Sequence, residues 1–263
     1  MTLEQVVLFP HPPIVVPEVA GSRFNEIKVT ADAMEKLSKD VLAKNPDTIV
    51  IITPHSQLHS SAFATYVAPQ LSGNFAGFGA PQVRMTVKND LELIQTIQNI
   101  RIESGIKDMV PMNEKTPIDH GSAVPLYYLL KEGYQGAVVI FNYCFGTKEQ
   151  HKDFGNSIKQ AAERLNKKVI LVASGDLSHR VTESAPGGFA AEGKQFDQMV
   201  YESIKTGKYE NISSMDPQLR ENAGECAYNS LMVAFGALEN MQTSSEIYSY
   251  EAPFGVGYLV ASL

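Results

Sequence analysis

A three-layer α/β/α sandwich with a mostly parallel central sheet is the fold class this sequence predicts, and three observations predict it. Val6-Val7-Leu8-Phe9, Thr48-Ile49-Val50-Ile51-Ile52, Ala137-Val138-Val139-Ile140-Phe141 and Lys168-Val169-Ile170-Leu171-Val172-Ala173 are short runs, rich in β-branched residues, with no polar face. That is the pattern of strands covered on both sides. Segments with helical spacing of apolar residues separate these runs, so strand and helix alternate along the chain. At 263 residues the chain is long enough for one α/β domain spanning 1–263, and a domain of this size buries roughly three-quarters of the surface its unfolded chain exposes.

Taken in order, the first strand ends on Pro10-His11 and is followed by Pro12-Pro13-Ile14-Val15-Val16-Pro17. Prolines fix φ and remove donors, so this segment is a stiff loop able to wall a pocket. Met34, Leu37 and Val41 then mark a helix from about Thr30 to Asn45-Pro46. The next strand, Thr48 to Thr53, stops on Pro54-His55. Strand, helix and parallel strand form a right-handed βαβ unit, which puts both strand ends on one edge of the sheet.

Residues 62–68 and 82–88 read as strands joined by the Gly-rich loop 72–79, and alternation in Val83 to Lys88 marks a half-exposed edge strand. A helix from about Asp90 to Ser104 leads to Ile118-Asp119-His120-Gly121 and a helical segment from Ala123 to Lys131. Thr147-Lys148-Glu149-Gln150 has capping-box spacing, and Phe154, Ile158, Ala161 and Leu165 continue one helical face, with His151 on its solvated side. The strand at 168–173 runs into Ser174-Gly175-Asp176-Leu177-Ser178-His179, where small residues let the backbone turn sharply. A long helix to about Ile204 follows Pro186-Gly187-Gly188. Asn222 to Cys226 opens another helix, and strands Glu246 to Tyr250 and Val256 to Ala261 close the chain.

Composition narrows the function classes. A formal net charge of −7 argues against a nucleic-acid partner, because contacting phosphates takes a basic surface. No apolar run approaches the ~20 residues of a membrane span, and the first residues lack a signal-peptide pattern, so a cytoplasmic protein is expected. Its two cysteines, Cys144 and Cys226, form no Cys-x-x-Cys pair, which fits a reducing compartment.

Four of the six histidines, His11, His55, His120 and His179, sit beside Pro, Gly or Asp at strand ends or loops. In an open α/β sheet ligands bind beyond the carboxyl ends of the strands, so these histidines point to one shared site. Imidazole is a common metal ligand, and two histidines with one carboxylate leave positions open for substrate, as in non-haem Fe(II) oxygenases. Glu225, at a helix start between Gly224 and Cys226, is the candidate carboxylate, although an acid there also suits the helix dipole. Cys226 is the rival ligand, since thiolate binds transition metals. His59 lies four residues beyond His55, a familiar zinc spacing on helices. Here it follows a strand and a proline, so it reads as a rim or surface residue.

Pro10-His11-Pro12-Pro13, Thr53-Pro54-His55-Ser56, Asp119-His120-Gly121, Ser174-Gly175-Asp176-Leu177-Ser178-His179 and Pro253-Phe254-Gly255-Val256-Gly257-Tyr258 resemble the motifs of the LigB-type class III extradiol ring-cleavage dioxygenases. More narrowly, the chain is similar to the dioxygenase-like module of the AmmeMemoRadiSam group, related to Memo. The resemblance implies a LigB-like, phosphorylase/hydrolase-like sheet flanked by helices, with Fe(II) held by His11, His55 and Glu225. It further implies His179 as the acid-base residue and His120 as a residue that hydrogen-bonds substrate or bound dioxygen; homodimers are common in this superfamily. The implied reaction inserts both atoms of O2 into a small catechol-like aromatic substrate. Asp176 and Asp119 are placed to orient a histidine or to cap turns, and Tyr143, Phe145 and Phe254 to line a pocket. In Memo-like relatives a cysteine takes the third ligand position, which keeps Cys226 beside Glu225 as a candidate. Two other functions stay open: a Memo-like metal-binding redox or accessory protein without ring cleavage, and a zinc-dependent hydrolase, since zinc accepts the same ligands and activates water.

Overall fold

In the computed structural model, residues 2–242 and 244–263 are described. Strand β1 (Leu3–Phe9) leads through 3-10 turns and the short α1 (Pro17–Ala20) to α2 (Lys28–Leu42) and β2 (Thr48–Thr53). There follow β3 (Phe63–Thr65), β4 (Gln70–Phe75), β5 (Ala80–Asn89), α3 (Leu91–Glu103), β6 (Met109–Pro111), α4 (His120–Lys131), β7 (Ala137–Asn142), α5 (Lys148–Leu165) and β8 (Val169–Ser174). The last third holds α6 (Ala191–Lys205), α7 (Glu210–Ser213), α8 (Pro217–Ala223), α9 (Tyr228–Leu238), β9 (Glu246–Glu251) and β10 (Tyr258–Ser262).

The strands form one sheet in the order β4-β5-β7-β2-β8-β1-β10-β9, with β3 pairing β7 and β6. β5, β7, β2, β8 and β1 run parallel, while β4, β10 and β9 join antiparallel. Every residue of β2 and β8 is buried. Odd and even positions feed two separate cores. Val50, Ile52, Leu171 and Ala173 pack with Phe154 and Ile158 of α5 and Leu231 and Phe235 of α9. Ile49, Ile51, Ile170 and Val172 pack with Met34 and Leu37 of α2 and Leu126 and Leu129 of α4. This is the expected three-layer sandwich.

Because both faces of β2 are apolar, a one-residue slip would not expose it, and hydrophobic pattern alone leaves its register weakly specified. Its polar ends supply the missing constraint. Thr48 Oγ1 donates to Asp90 Oδ2 at 2.5 Å at one end, and Thr53 Oγ1 donates to Asp119 Oδ1 at 2.9 Å at the other.

Four local readings differ from expectation. The Gly-rich loop 72–79 is half strand: β4 alternates exposed and buried positions, and only Ala76–Phe78 form a 3-10 turn. Gly73 serves close approach there, since a Cβ would lie 2.8 Å from Ile118 Cβ. Asn222 and Ala223 end α8 instead of opening a helix, because Gly224 takes a left-handed conformation (φ +63°) that stops it. α4 starts at His120, three residues early, because Asp119 caps it by accepting from Ser122 N. His151 is wholly buried, its ring nitrogens 2.7 Å from the Thr147 carbonyl and 3.1 Å from the Cys144 carbonyl, one of which takes its single N–H, its edge against Phe63, and burial lowers its pKa against the pull of those carbonyls.

Candidate metal centre

The parallel order β2-β8-β1 places three carboxyl ends side by side, and each loop beyond them carries a histidine. His11 lies two residues past β1, His55 two past β2, and His179 five past β8. His120 arrives from the opposite layer as the first residue of α4. Gly121 permits this approach: a Cβ there would collide with Thr53 Oγ1 and lie 2.8 Å from the His55 ring and 2.9 Å from Asp119 Oδ1.

His11, His55 and His120 each offer a ring nitrogen, and these atoms lie within 4.8 Å of one another. The His11 and His55 rings meet edge-on with centroids 4.8 Å apart, and His55 and His120 rings are 4.0 Å apart. His11 is 2% exposed, whereas His55 and His120 are half-buried and open the cluster to solvent on one side.

Hydrogen bonding fixes the His11 ring in a metal-ready form. Ser174 Oγ donates to Gly121 O at 2.5 Å, so its oxygen accepts from His11 Nδ1–H at 2.9 Å. The Nε2 lone pair is left facing the cluster. Burial, reinforced by His120 and His179, lowers the His11 pKa well below the ordinary imidazole value. His55 falls to about 3 through burial and then the neighbouring His11, His120 and His179. His120 is lowered by burial too, against the opposing pull of Asp119 and Asp176. Three neutral imidazoles suit a cation. The fit extends to distance: two nitrogens about 2.1 Å from one ion at a right angle lie about 3.0 Å apart, and His11 Nε2 and His55 Nε2 are separated by 3.0 Å.

Glu225 does not join this group. Its Oε2 accepts from Tyr228 N at 2.7 Å, capping α9, and its Oε1 accepts from Arg220 Nε at 3.2 Å, with the side chain 6% exposed. The Arg220 guanidinium lies in turn over the Tyr228 ring, 3.2 Å from its centroid. Burial raises the Glu225 pKa, opposed by Arg220 and the Tyr228 N–H. Cys226 points the other way: its Sγ is 3.7 Å from His11 Nε2 and accepts from Asp176 N at 3.2 Å. Burial, then Asp176, pushes its thiol well above the ordinary range.

His179 stands beside the cluster with its Nδ1 2.6 Å from Gly224 O and its Nε2 4.0 Å from Asp176 Oδ2. The carbonyl can only accept, so Nδ1 carries the proton and Nε2 is left basic. Asp176 accepts the backbone N–H of His11 at 2.8 Å instead of a ring N–H, and burial raises its pKa. Asp119 serves as helix cap and Thr53 acceptor. His59 is exposed, as expected of a surface residue. Among the aromatic candidates Tyr143 is buried, Phe145 is 67% exposed, and Phe254 packs under Arg23. Phe78, inside the Gly-rich stretch, was not singled out by sequence. Its ring meets His120 edge-on at 5.4 Å, and its one sequence signal is a large apolar ring between Gly77 and Gly79.

The loop bearing His179 is held from below by Asp197 of α6, 1% exposed, which accepts from Ser178 N at 2.8 Å and Tyr250 Oη at 2.7 Å. Burial pushes this carboxyl up to about 7, against the pull of those two donors. The folded state therefore holds a proton that the unfolded chain has released between about pH 4 and 7, so this group's contribution to stability falls as pH rises through that window. Asp197→Asn keeps a partner for both groups and should remove that fall, on the order of 2–4 kcal/mol. Urea unfolding of both proteins at pH 5 and pH 8 checks this; an unchanged pH dependence in the variant would refute it.

Comparison with known proteins bears on what such a cluster does. Residues 5–261 match the model of a family described as the catalytic LigB subunit of aromatic ring-opening dioxygenase. Protein CA_C1420 of Clostridium acetobutylicum is 36% identical over 270 residues, covering 100% of this chain, and the chain spans 58% of that relative's length. The 3,4-dihydroxyphenylacetate 2,3-dioxygenase of Escherichia coli is 23% identical over 79% of each chain. The crystal structure of protein JW3007 from Escherichia coli K12 shares the fold, with a TM-score of 0.67 at 14% identity over 98% of both chains.

Proposed function

Since the chain belongs to the LigB family of aromatic ring-opening dioxygenases, we propose that it uses Fe(II) to cleave a catechol-like aromatic diol with O2, and that His11, His55 and His120 are its metal donors. The observation that carries this reading is the convergence of three imidazole nitrogens within 4.8 Å at the carboxyl edge of the sheet. Glu225, engaged as helix cap and ion-pair partner, then has a structural role. When bound, the metal supplies one centre at which diol and O2 meet. The reaction balances without an external reductant: a ring C–C bond beside a hydroxyl breaks and both atoms of O2 end in the product.

The protein's own groups manage the proton. His179 Nε2, left basic by the bond from Nδ1 to Gly224 O, takes a phenolic proton from the bound diol and returns it to the opened product. Asp176 Oδ2, 4.0 Å from that nitrogen, stabilises the imidazolium while it exists. Residues 1–263 act as one domain in this reading, supported by the pairing of β1 with β10 in the sheet.

A second reading rests on one distance, 3.7 Å between Cys226 Sγ and His11 Nε2. It makes the centre His11, His55 and Cys226, a Memo-like redox or accessory site without ring cleavage. Metal analysis at the iron and zinc absorption edges on protein purified without added metal, then anaerobic Fe(II) loading and exposure to O2 with a panel of catechols, separates the two. A ring-opened yellow product supports the dioxygenase; a loaded metal with no product from any catechol overturns it.

A further inference from the structure

We propose that the site selects diols whose ring carries no anionic substituent and that Phe78 makes this selection; the inference rests on the ring-cleavage reading and names the substrate class within it. Phe78 lies in the 3-10 turn of the β4–β5 hairpin. Its neighbour Phe75 is fully buried, 6.3 Å from it and 6.4 Å from Tyr127 in ring centroids, which anchors the turn on the body of the protein. Phe78 itself meets the His120 ring edge-on at 5.4 Å yet stays 41% exposed. An apolar ring held in place beside a donor of the cluster, with part of its surface still uncovered, is a wall for another aromatic ring.

Electrostatics narrow the class further. Two acids flank the cluster: Asp119 directly before His120, and Asp176 on the backbone N–H of His11. The arginines of neighbouring loops are engaged elsewhere. Arg180 donates to the carbonyls of Gly187 and Asn222, and Arg220 to Glu225. A carboxylate on the substrate ring would thus meet an apolar wall, the buried Asp176 and the half-buried Asp119, while the Arg180 and Arg220 guanidiniums are held on other acceptors.

Anaerobic calorimetry on Fe(II)-loaded protein with 4-methylcatechol and 3,4-dihydroxyphenylacetate, the second being the diol named for the Escherichia coli relative, tests this. Wild type should bind 4-methylcatechol about tenfold more tightly. Phe78→Ala should weaken that binding about tenfold with metal content unchanged, and Phe78→Lys should shift preference toward the acid. Equal affinity of wild type for the two diols, or an unchanged 4-methylcatechol affinity in Phe78→Ala, would overturn the proposal. Binding is read without O2, so the two readings fail separately. Selective binding with no product on later exposure to O2 leaves the selection standing and removes ring cleavage, whereas product formed with no preference does the reverse.

Discussion

His55→Ala should yield a folded protein that no longer retains its metal. Loss of an outer partner of a metal ligand typically costs 10–100-fold in affinity, and loss of the ligand itself should exceed about 100-fold. His55 is half-buried in a loop beyond β2 and its ring packs on two other imidazoles, not on either apolar core, so the sandwich does not depend on it. Glu225→Gln is the informative contrast. It removes a charge from the Arg220 pair and weakens the cap on α9, a loss of about 1–3 kcal/mol in stability, while the three imidazoles keep their places. Metal content after equal exposure to Fe(II), measured beside thermal unfolding, distinguishes them: His55→Ala loses metal, and Glu225→Gln loses stability. Metal lost from Glu225→Gln at unchanged stability would return that carboxylate to the ligand set.

His179→Ala carries the second large effect, with the opposite signature. The His179 Nε2 faces Asp176, and the ring is tied to Gly224 O on the far side, so it lies beside the donors without belonging to them. Metal content should stay at the wild-type level while turnover of a catechol falls by about 10²–10⁴, the usual worth of a positioned acid-base group. Steady-state kinetics on metal-matched samples read the result, with the loss expected in kcat and little change in KM. Wild-type turnover in the variant would remove His179 from the chemistry and favour a centre that binds metal for another purpose.

Much of the fold is local information, and for that reason it was legible. β-branched runs such as Ile49 to Ile52 read as doubly covered strands because both of their faces are in fact covered, by α2 and α4 on one side and α5 and α9 on the other. The meeting of His11 and His55 followed from handedness, since parallel strands deliver their carboxyl ends to one edge. Glu225 was harder for a physical reason. Which of Glu225 and Cys226 faces the histidines depends on the left-handed turn at Gly224 and the start of α9 at Tyr228, both set by packing between elements far apart in the chain. Phe78 stayed hidden for a related one. Gly73 and Asn74 weaken the strand signal of β4, although alternation at Leu71, Gly73 and Phe75 was present in the pattern. His151 misled because an amphipathic helix has one solvated face only where no loop covers it, and here the Cys144 carbonyl does.

The relay from His11 through Ser174 to the Gly121 carbonyl joins the loop after β1, the end of β8 and the first turn of α4. His120 is the residue directly before that carbonyl's own. The orientation of one imidazole and the position of another are therefore one degree of freedom, not two. A cleft whose donors hold each other in place before an ion arrives surrenders little motion on binding, so more of the coordination energy appears as affinity.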